Sequence, residues 1–137
     1  MRCEINLIVH ATEDENKILD KLFGVLKIDE NTVSVTKRSI SGHFGNPIEY
    51  YIISIKRNVM SILERIISNL DSVDKIELTE HLDDYLEGSK LYLRLDKQAI
   101  CTGEIRLSSI DAIRLLFRGV KREKIKKLLQ GNADDNM

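Results

Sequence analysis

A chain of 137 residues, 42% hydrophobic and 31% charged, is long enough for one domain with its own core and too polar for a membrane-embedded protein. The net charge of −1 hides an asymmetry: residues 1–89 carry 10 Lys/Arg against 16 Asp/Glu, residues 90–137 carry 11 against 6. That division excludes a uniformly acidic or basic protein and suggests a polyanionic partner for the second half.

Met1-Arg2-Cys3-Glu4 holds an acid and leads into a strand pattern, so no signal peptide is expected, and the apolar runs are too short for a bilayer span. A cytoplasmic location follows as the expectation. Cys3 and Cys101 lie far apart without a partner motif and are expected to be reduced thiols.

In chain order, Cys3, Ile5, Leu7 and Val9 alternate with Glu4, Asn6 and His10, the period of a half-buried strand. Thr12-Glu13-Asp14-Glu15 has the spacing of a capping box. The helix it opens puts Ile18, Leu19, Leu22, Phe23 and Leu26 on one face. Thr32–Arg38 and Ile48–Lys56 read as two strands of a hairpin, joined by the glycine-containing loop Ser39–Pro47. Val59, Ile62, Leu63, Ile66, Ile67 and Leu70 form an uninterrupted helical stripe. A more acidic helix is expected from Ser72 to Glu87, with Ile76, Leu82, Tyr85 and Leu86 inward and a stop at Gly88. A strand at Leu91–Leu95, a tight excursion through Asp96–Ile100, and strands at Glu104–Leu107 and Asp111–Arg118 follow. A basic helix, Lys121–Gln130, closes the chain.

The predicted order is β-α-β-β-α-α-β-β-β-α. Parallel βαβ repetition is missing and hairpins dominate, which gives an α+β fold: an antiparallel sheet with helices packed on one face. One domain is expected over residues 1–130, with residues 131–137 as a disordered polar tail.

A catalytic reading needs a cluster, and the sequence offers none. His10, His43 and His81 lie in separate segments without metal-ligand spacing, so no metal site is expected. Asp83, Asp84 and Glu87 read as a solvated acidic face. Ser41-Gly42-His43-Phe44-Gly45 has no following Gly-Lys-Ser/Thr, and its glycines serve a turn. The chain is read as non-enzymatic, with no cofactor and no catalytic residue.

The strand periods do place cations together. With Leu91, Leu93, Leu95, Ile105, Leu107, Ile113, Leu115 and Phe117 inward, Lys90, Tyr92, Arg94, Arg106, Arg114 and Arg118 point outward from three strands. Arginine forks match phosphate, and a tyrosine ring can stack a base. Lys37, Arg38, Lys56 and Arg57 flank the first hairpin, and Lys121, Arg122, Lys124, Lys126 and Lys127 are expected to extend the surface. Outward Lys and Arg are also routine on a solvated sheet, where they deter edge aggregation, so the pattern alone leaves both readings open.

Three segments carry a resemblance: Val9-His10-Ala11-Thr12-Glu13-Asp14-Glu15, Gly42-His43-Phe44-Gly45-Asn46-Pro47-Ile48, and above all Leu91-Tyr92-Leu93-Arg94-Leu95-Asp96-Lys97-Gln98-Ala99. From Ile5 to about Phe117 the chain resembles an archaeal family described as a predicted RNA-binding subunit associated with the exosome, earlier a domain of unknown function. The last segment is the specific one; Ile100 departs from it, where a second alanine is expected.

The resemblance implies a fold like that of a ribosomal protein that binds ribosomal RNA, and a non-catalytic accessory role in RNA processing or degradation. By matching position it implies His43, Asn46, Arg94, Lys97 and Gln98 as RNA contacts. For the last motif a second account stands beside this one: Asp96 and Gln98 can hold their own turn through side-chain to backbone hydrogen bonds. The expected partner is structured RNA, held mainly by its backbone, with exosome or other RNA-processing proteins beside it and no membrane. The alternative is a protein-interaction or homodimerisation module docking through Tyr50, Ile52 and Leu116 on the sheet face. A nuclease ranks third, because it needs a carboxylate cluster on the arginine face.

Overall fold

The computed structural model describes residues 1–41 and 45–134. Strand β1 (Arg2–His10) buries Cys3, Ile5, Leu7 and Val9, as their period requires. Helix α1 (Glu15–Leu26) buries Ile18, Leu22, Phe23 and Leu26. Its N-cap is Asp14, whose carboxylate accepts the Lys17 amide at 3.1 Å, not Thr12 as the capping-box spacing suggests. The reason is Glu13, whose carboxylate turns back to accept the His10 amide at 2.9 Å and sets the entry of the chain.

Strands β2 (Val33–Ser41) and β3 (Pro47–Ile55) form the expected hairpin, paired from Val33–Ile55 to Ser41–Pro47. They run further into the glycine loop than the sequence suggests. Helix α2 (Val59–Asn69) buries Val59, Ile62, Leu63, Ile66 and Ile67, matching its stripe.

The single acidic helix expected over Ser72–Glu87 is instead α3 (Ser72–Glu80), α4 (Leu82–Tyr85) and a two-residue strand, β4 (Leu86–Glu87). His81, at φ −119° and ψ 32°, interrupts the helical path. Leu78 is fully buried, while Ile76, expected inward, is 54% exposed. Residues two apart on a helix face different ways, so only one of the pair can enter the core. Gly88, at φ +61°, sits in the two-residue connection from Glu87 to Lys90 and turns the chain into β5 (Lys90–Asp96).

Asp96 caps the short helix α5 (Lys97–Cys101) by accepting the Ala99 amide at 2.9 Å, so the turn-holding account is correct for Asp96. No strand forms over Glu104–Leu107. That segment only brushes β5: the Asp96 amide donates to the Arg106 carbonyl at 2.8 Å, and the Ser108 amide to the Arg94 carbonyl at 2.9 Å. Strand β6 (Ala112–Arg118) and helix α6 (Arg122–Asp134) complete the described chain. The helix bounds pass Gln130, the expected end, by four residues.

All six strands are antiparallel, in the order β2-β3-β1-β6-β5-β4. One core takes the inner residues of β1, β3, β5 and β6 together with Leu22, Leu63, Ile66, Ile125 and Leu129 from the helices. The expected α+β architecture, an antiparallel sheet backed by helices, is the one observed, and the other sheet face is left to the site.

Candidate nucleic-acid interface

The antiparallel register fixes which outward side chains are neighbours. Lys90 lies opposite Arg118, Tyr92 opposite Leu116, and Arg94 opposite Arg114. Across the next strand pair, Arg118 lies opposite Arg2, Leu116 opposite Glu4, and Arg114 opposite Asn6. Three of these six pairs set like charges directly against each other, an arrangement that destabilises a sheet. Among the described residues, none of Arg2, Lys90, Arg94, Arg114 or Arg118 has a carboxylate within 4.0 Å. The face therefore gathers cations that no carboxylate pairs at close range, with Glu4 the acid standing in the same rows.

Arg2 was absent from the sequence-derived set. Its signal was legible, since the alternation that buries Cys3 sends Arg2 outward. It shares a small recess with Lys56 and Arg118, which brings the start of the chain and the end of β3 to the same cationic corner.

Beside this corner lies a groove of about 930 Å³. Its floor is Asn6, Tyr92, Arg94, Arg114 and Leu116 on the sheet; one wall is Asp74, Glu77, Asp84 and Tyr85 from α3 and α4, and the other is Leu107–Ile110. Tyr92 is 42% exposed on the floor. Asp74 is fixed by accepting the Leu107 amide at 2.9 Å, and the Tyr85 hydroxyl donates to Glu77 at 3.2 Å. Burial, followed by the Glu77 charge, holds the Tyr85 phenol above its ordinary pKa.

The other candidates divide. Arg38 lies on the arginine side of the sheet, opposite Tyr50, whose hydroxyl donates to Asn6 at 3.2 Å. Lys37 faces the opposite side: its ammonium is 2.8 Å from Glu15 and 5.7 Å from the Tyr51 ring centroid. Arg57, Asn46 and Gln98 are exposed. Arg106 belongs to the 104–108 segment and is paired with Glu104 at 2.9 Å. His43 lies outside the described residues. Helix α6 packs Ile125 and Leu129 into the core on the helix side, so its lysines do not extend the arginine face. Arg122 there bonds Asp83 at 2.7 Å.

Lys97 is the clear correction. It is 1% exposed, and its ammonium donates to the Ile8 carbonyl and the Glu13 carboxylate at 2.9 Å each, with Asp111 also at 2.9 Å. A lysine so enclosed cannot reach phosphate; it ties β1, the entry to α1 and the start of β6 together. His10, Glu13 and Asp111 are also a grouping with metal-ligand chemistry, within 4.8 Å of one another. The Lys97 ammonium already supplies the cation these carboxylates require.

No helix among the described residues is long and apolar enough to cross a membrane. A family model described as RNA binding matches residues 2–119, which contain every arginine of the sheet face. The chain is 33% identical over 138 residues to the uncharacterized protein MJ0213 of Methanocaldococcus jannaschii, covering 92% of this chain and 93% of that one. It is 32% identical over 128 residues to the RNA-binding protein PAB1135 of Pyrococcus abyssi, covering 90% and 83%. Among solved structures, protein SSO0741 of Sulfolobus solfataricus, a DUF54 protein, superposes with a TM-score of 0.80 at 25% identity over 96% of this chain and 98% of that one. Protein AF2318, also DUF54, gives a TM-score of 0.70 at 24% identity and shares the fold. The chain belongs to the RNA-binding family whose model spans residues 2–119.

Proposed function

We propose that the protein binds structured RNA across the open sheet face, through backbone contacts, and serves as a cytoplasmic, non-catalytic accessory factor in RNA processing or degradation, in association with the exosome. One observation carries the reading. Arg94 against Arg114, Lys90 against Arg118 and Arg118 against Arg2 are like-charged neighbours without a carboxylate partner among the described residues. Such an array costs stability in the free protein and is relieved by a polyanion. Family membership and the name of the Pyrococcus relative support RNA as that polyanion.

Arg2, Lys90, Arg94, Arg114 and Arg118 supply the electrostatics, Arg38 and Lys56 extend the track, and Tyr92 offers a ring for stacking. Asn46 and His43, from the hairpin loop, would add shape-dependent contacts. A titration of a labelled RNA hairpin with wild type and with Arg94→Ala/Arg114→Ala tests this. A loss of tenfold or more supports the sheet face, and equal affinity rejects it.

A second reading rests on the sheet edge. Strand β2 is a nine-residue edge strand, with Val35 48% and Ile40 51% exposed. An open edge of that length accepts a further strand, which favours protein association, including a homodimer, through β2 rather than through Tyr50, Ile52 and Leu116. Sedimentation of wild type against Val35→Lys/Ile40→Lys would test it: a dimer lost in the variant supports the edge, and a monomer at all concentrations rejects the homodimer.

A further inference from the structure

We infer that the groove between the arginine floor and the α3–α4 wall holds one unstacked nucleotide of a structured RNA, and that it selects guanine. This rests on the RNA reading above and names what the groove would read.

The groove carries opposite charges on different surfaces. Arg94 and Arg114 lie on the floor, while Glu77 and Asp84 stand on the wall. Among the described residues no ion pair within 4.0 Å joins the two sets, although both line the same space. Charges of opposite sign held apart across a cleft are complementary to a ligand that bears both signs. A nucleotide is such a ligand: its phosphate suits the arginines, and the N–H groups of its base suit carboxylates. The floor also carries Tyr92, 42% exposed, with Leu116 directly opposite it in the strand register, an apolar platform on which a base can stack.

The wall chemistry chooses the base. Asp74, partly buried, gives one oxygen to the Leu107 amide, and one oxygen of Glu77 accepts the Tyr85 hydroxyl. The second oxygen of Glu77 and the exposed carboxylate of Asp84 remain for a ligand; His81 is 3.9 Å from each, too far for a strong bond. Guanine offers two adjacent N–H donors on its Watson–Crick edge, N1–H and the N2 amino group, which match a carboxylate. Uracil offers a single N–H between two carbonyls that a carboxylate repels. A base paired in a duplex hides this edge, so the nucleotide must be bulged or looped out.

The test uses the full chain and fluorescence anisotropy with one RNA hairpin in four forms: a single bulged guanosine, inosine or uridine, and no bulge. Glu77→Gln/Asp84→Asn is measured in parallel, with thermal melting as the check on folding. The expected result is about tenfold tighter binding of the bulged guanosine than of uridine, the scale of one good bidentate contact. Inosine, lacking the N2 amino group, should lose most of that preference. The variant should bring the guanosine-to-uridine ratio below about twofold. Equal, salt-sensitive binding of all four hairpins would overturn the guanine pocket and leave the RNA-binding face standing. An unchanged ratio in the folded variant would overturn the role of the wall. Failure of every hairpin to bind would overturn both the pocket and the reading beneath it.

Discussion

Lys97 and Glu13, 84 positions apart in the chain, meet at 2.9 Å, the lysine buried and the carboxylate 16% exposed. The Lys97 ammonium also reaches the Ile8 carbonyl and Asp111. Asp111 reaches it from a left-handed backbone, φ +45°, a conformation that aspartate tolerates better than most residues. Glu13 in turn holds the His10 amide, so one lysine fixes the junction of β1, α1 and β6. Removing the lysine leaves Glu13, mostly buried, and Asp111, half-exposed, without their cation. Lys97→Ala is therefore expected to lower stability by about 2–4 kcal/mol, less than a fully enclosed pair would lose because Asp111 stays hydrated, measured by urea unfolding. Lys97→Met, which keeps the stem, should still cost several-fold more than a surface substitution such as Lys126→Met.

The thiols should behave very differently from each other. Cys3 is 1% exposed, and burial pushes its pKa up to about 12. In native protein a thiol reagent at neutral pH should modify Cys101 first, with Cys3 reacting only as fast as the chain opens. Labelling of Cys3 at the rate of an unfolded peptide would contradict this packing.

The same burial makes stability fall at alkaline pH. In the unfolded chain Cys3 loses its proton near its ordinary value of 9.0, while in the folded chain it keeps it to about 12. Between those limits the unfolded state binds fewer protons, so stability decreases as pH rises; below pH 9 the contribution is fully present. Relative to Cys3→Val, wild type is expected to lose about 1 kcal/mol per pH unit above pH 9, read from unfolding at pH 8, 9.5 and 10.5.

Much of this was legible beforehand because it is periodic. The alternation of Leu91, Leu93 and Leu95 and the stripe from Val59 to Ile67 put the inner face where the structure has it. The same alternation put Lys90, Tyr92, Arg94, Arg114 and Arg118 outward. Arg2 followed the same period and was overlooked. What failed was decided by tertiary contact. A lysine beside Gln98 reads as exposed, and only Glu13 and Asp111, brought from elsewhere, make Lys97 buriable. Ile76 and Leu78 are equally apolar, and only the break at His81 and the line of the sheet choose between them. Glu104–Leu107 has a strand pattern, but β5 offers it little more than the stretch from Arg94 to Asp96 as an edge.

Charge on the free face should itself cost stability. Because Arg94 and Arg114 repel across the strand pair, Arg114→Gln is expected to leave the free protein as stable as wild type or up to about 1 kcal/mol more stable while weakening RNA binding. A large loss of stability would show that the arginines serve the fold instead.

The central claim is that phosphate neutralisation on this face drives binding, and the salt dependence of RNA affinity tests it most directly. Five cations, Arg2, Lys90, Arg94, Arg114 and Arg118, predict a slope of log affinity against log salt of about −3 to −5 by counter-ion release, made shallower by about 1 to 2 in Arg94→Ala/Arg114→Ala. A flat dependence in wild type, or an unchanged slope in the double variant, would contradict the account.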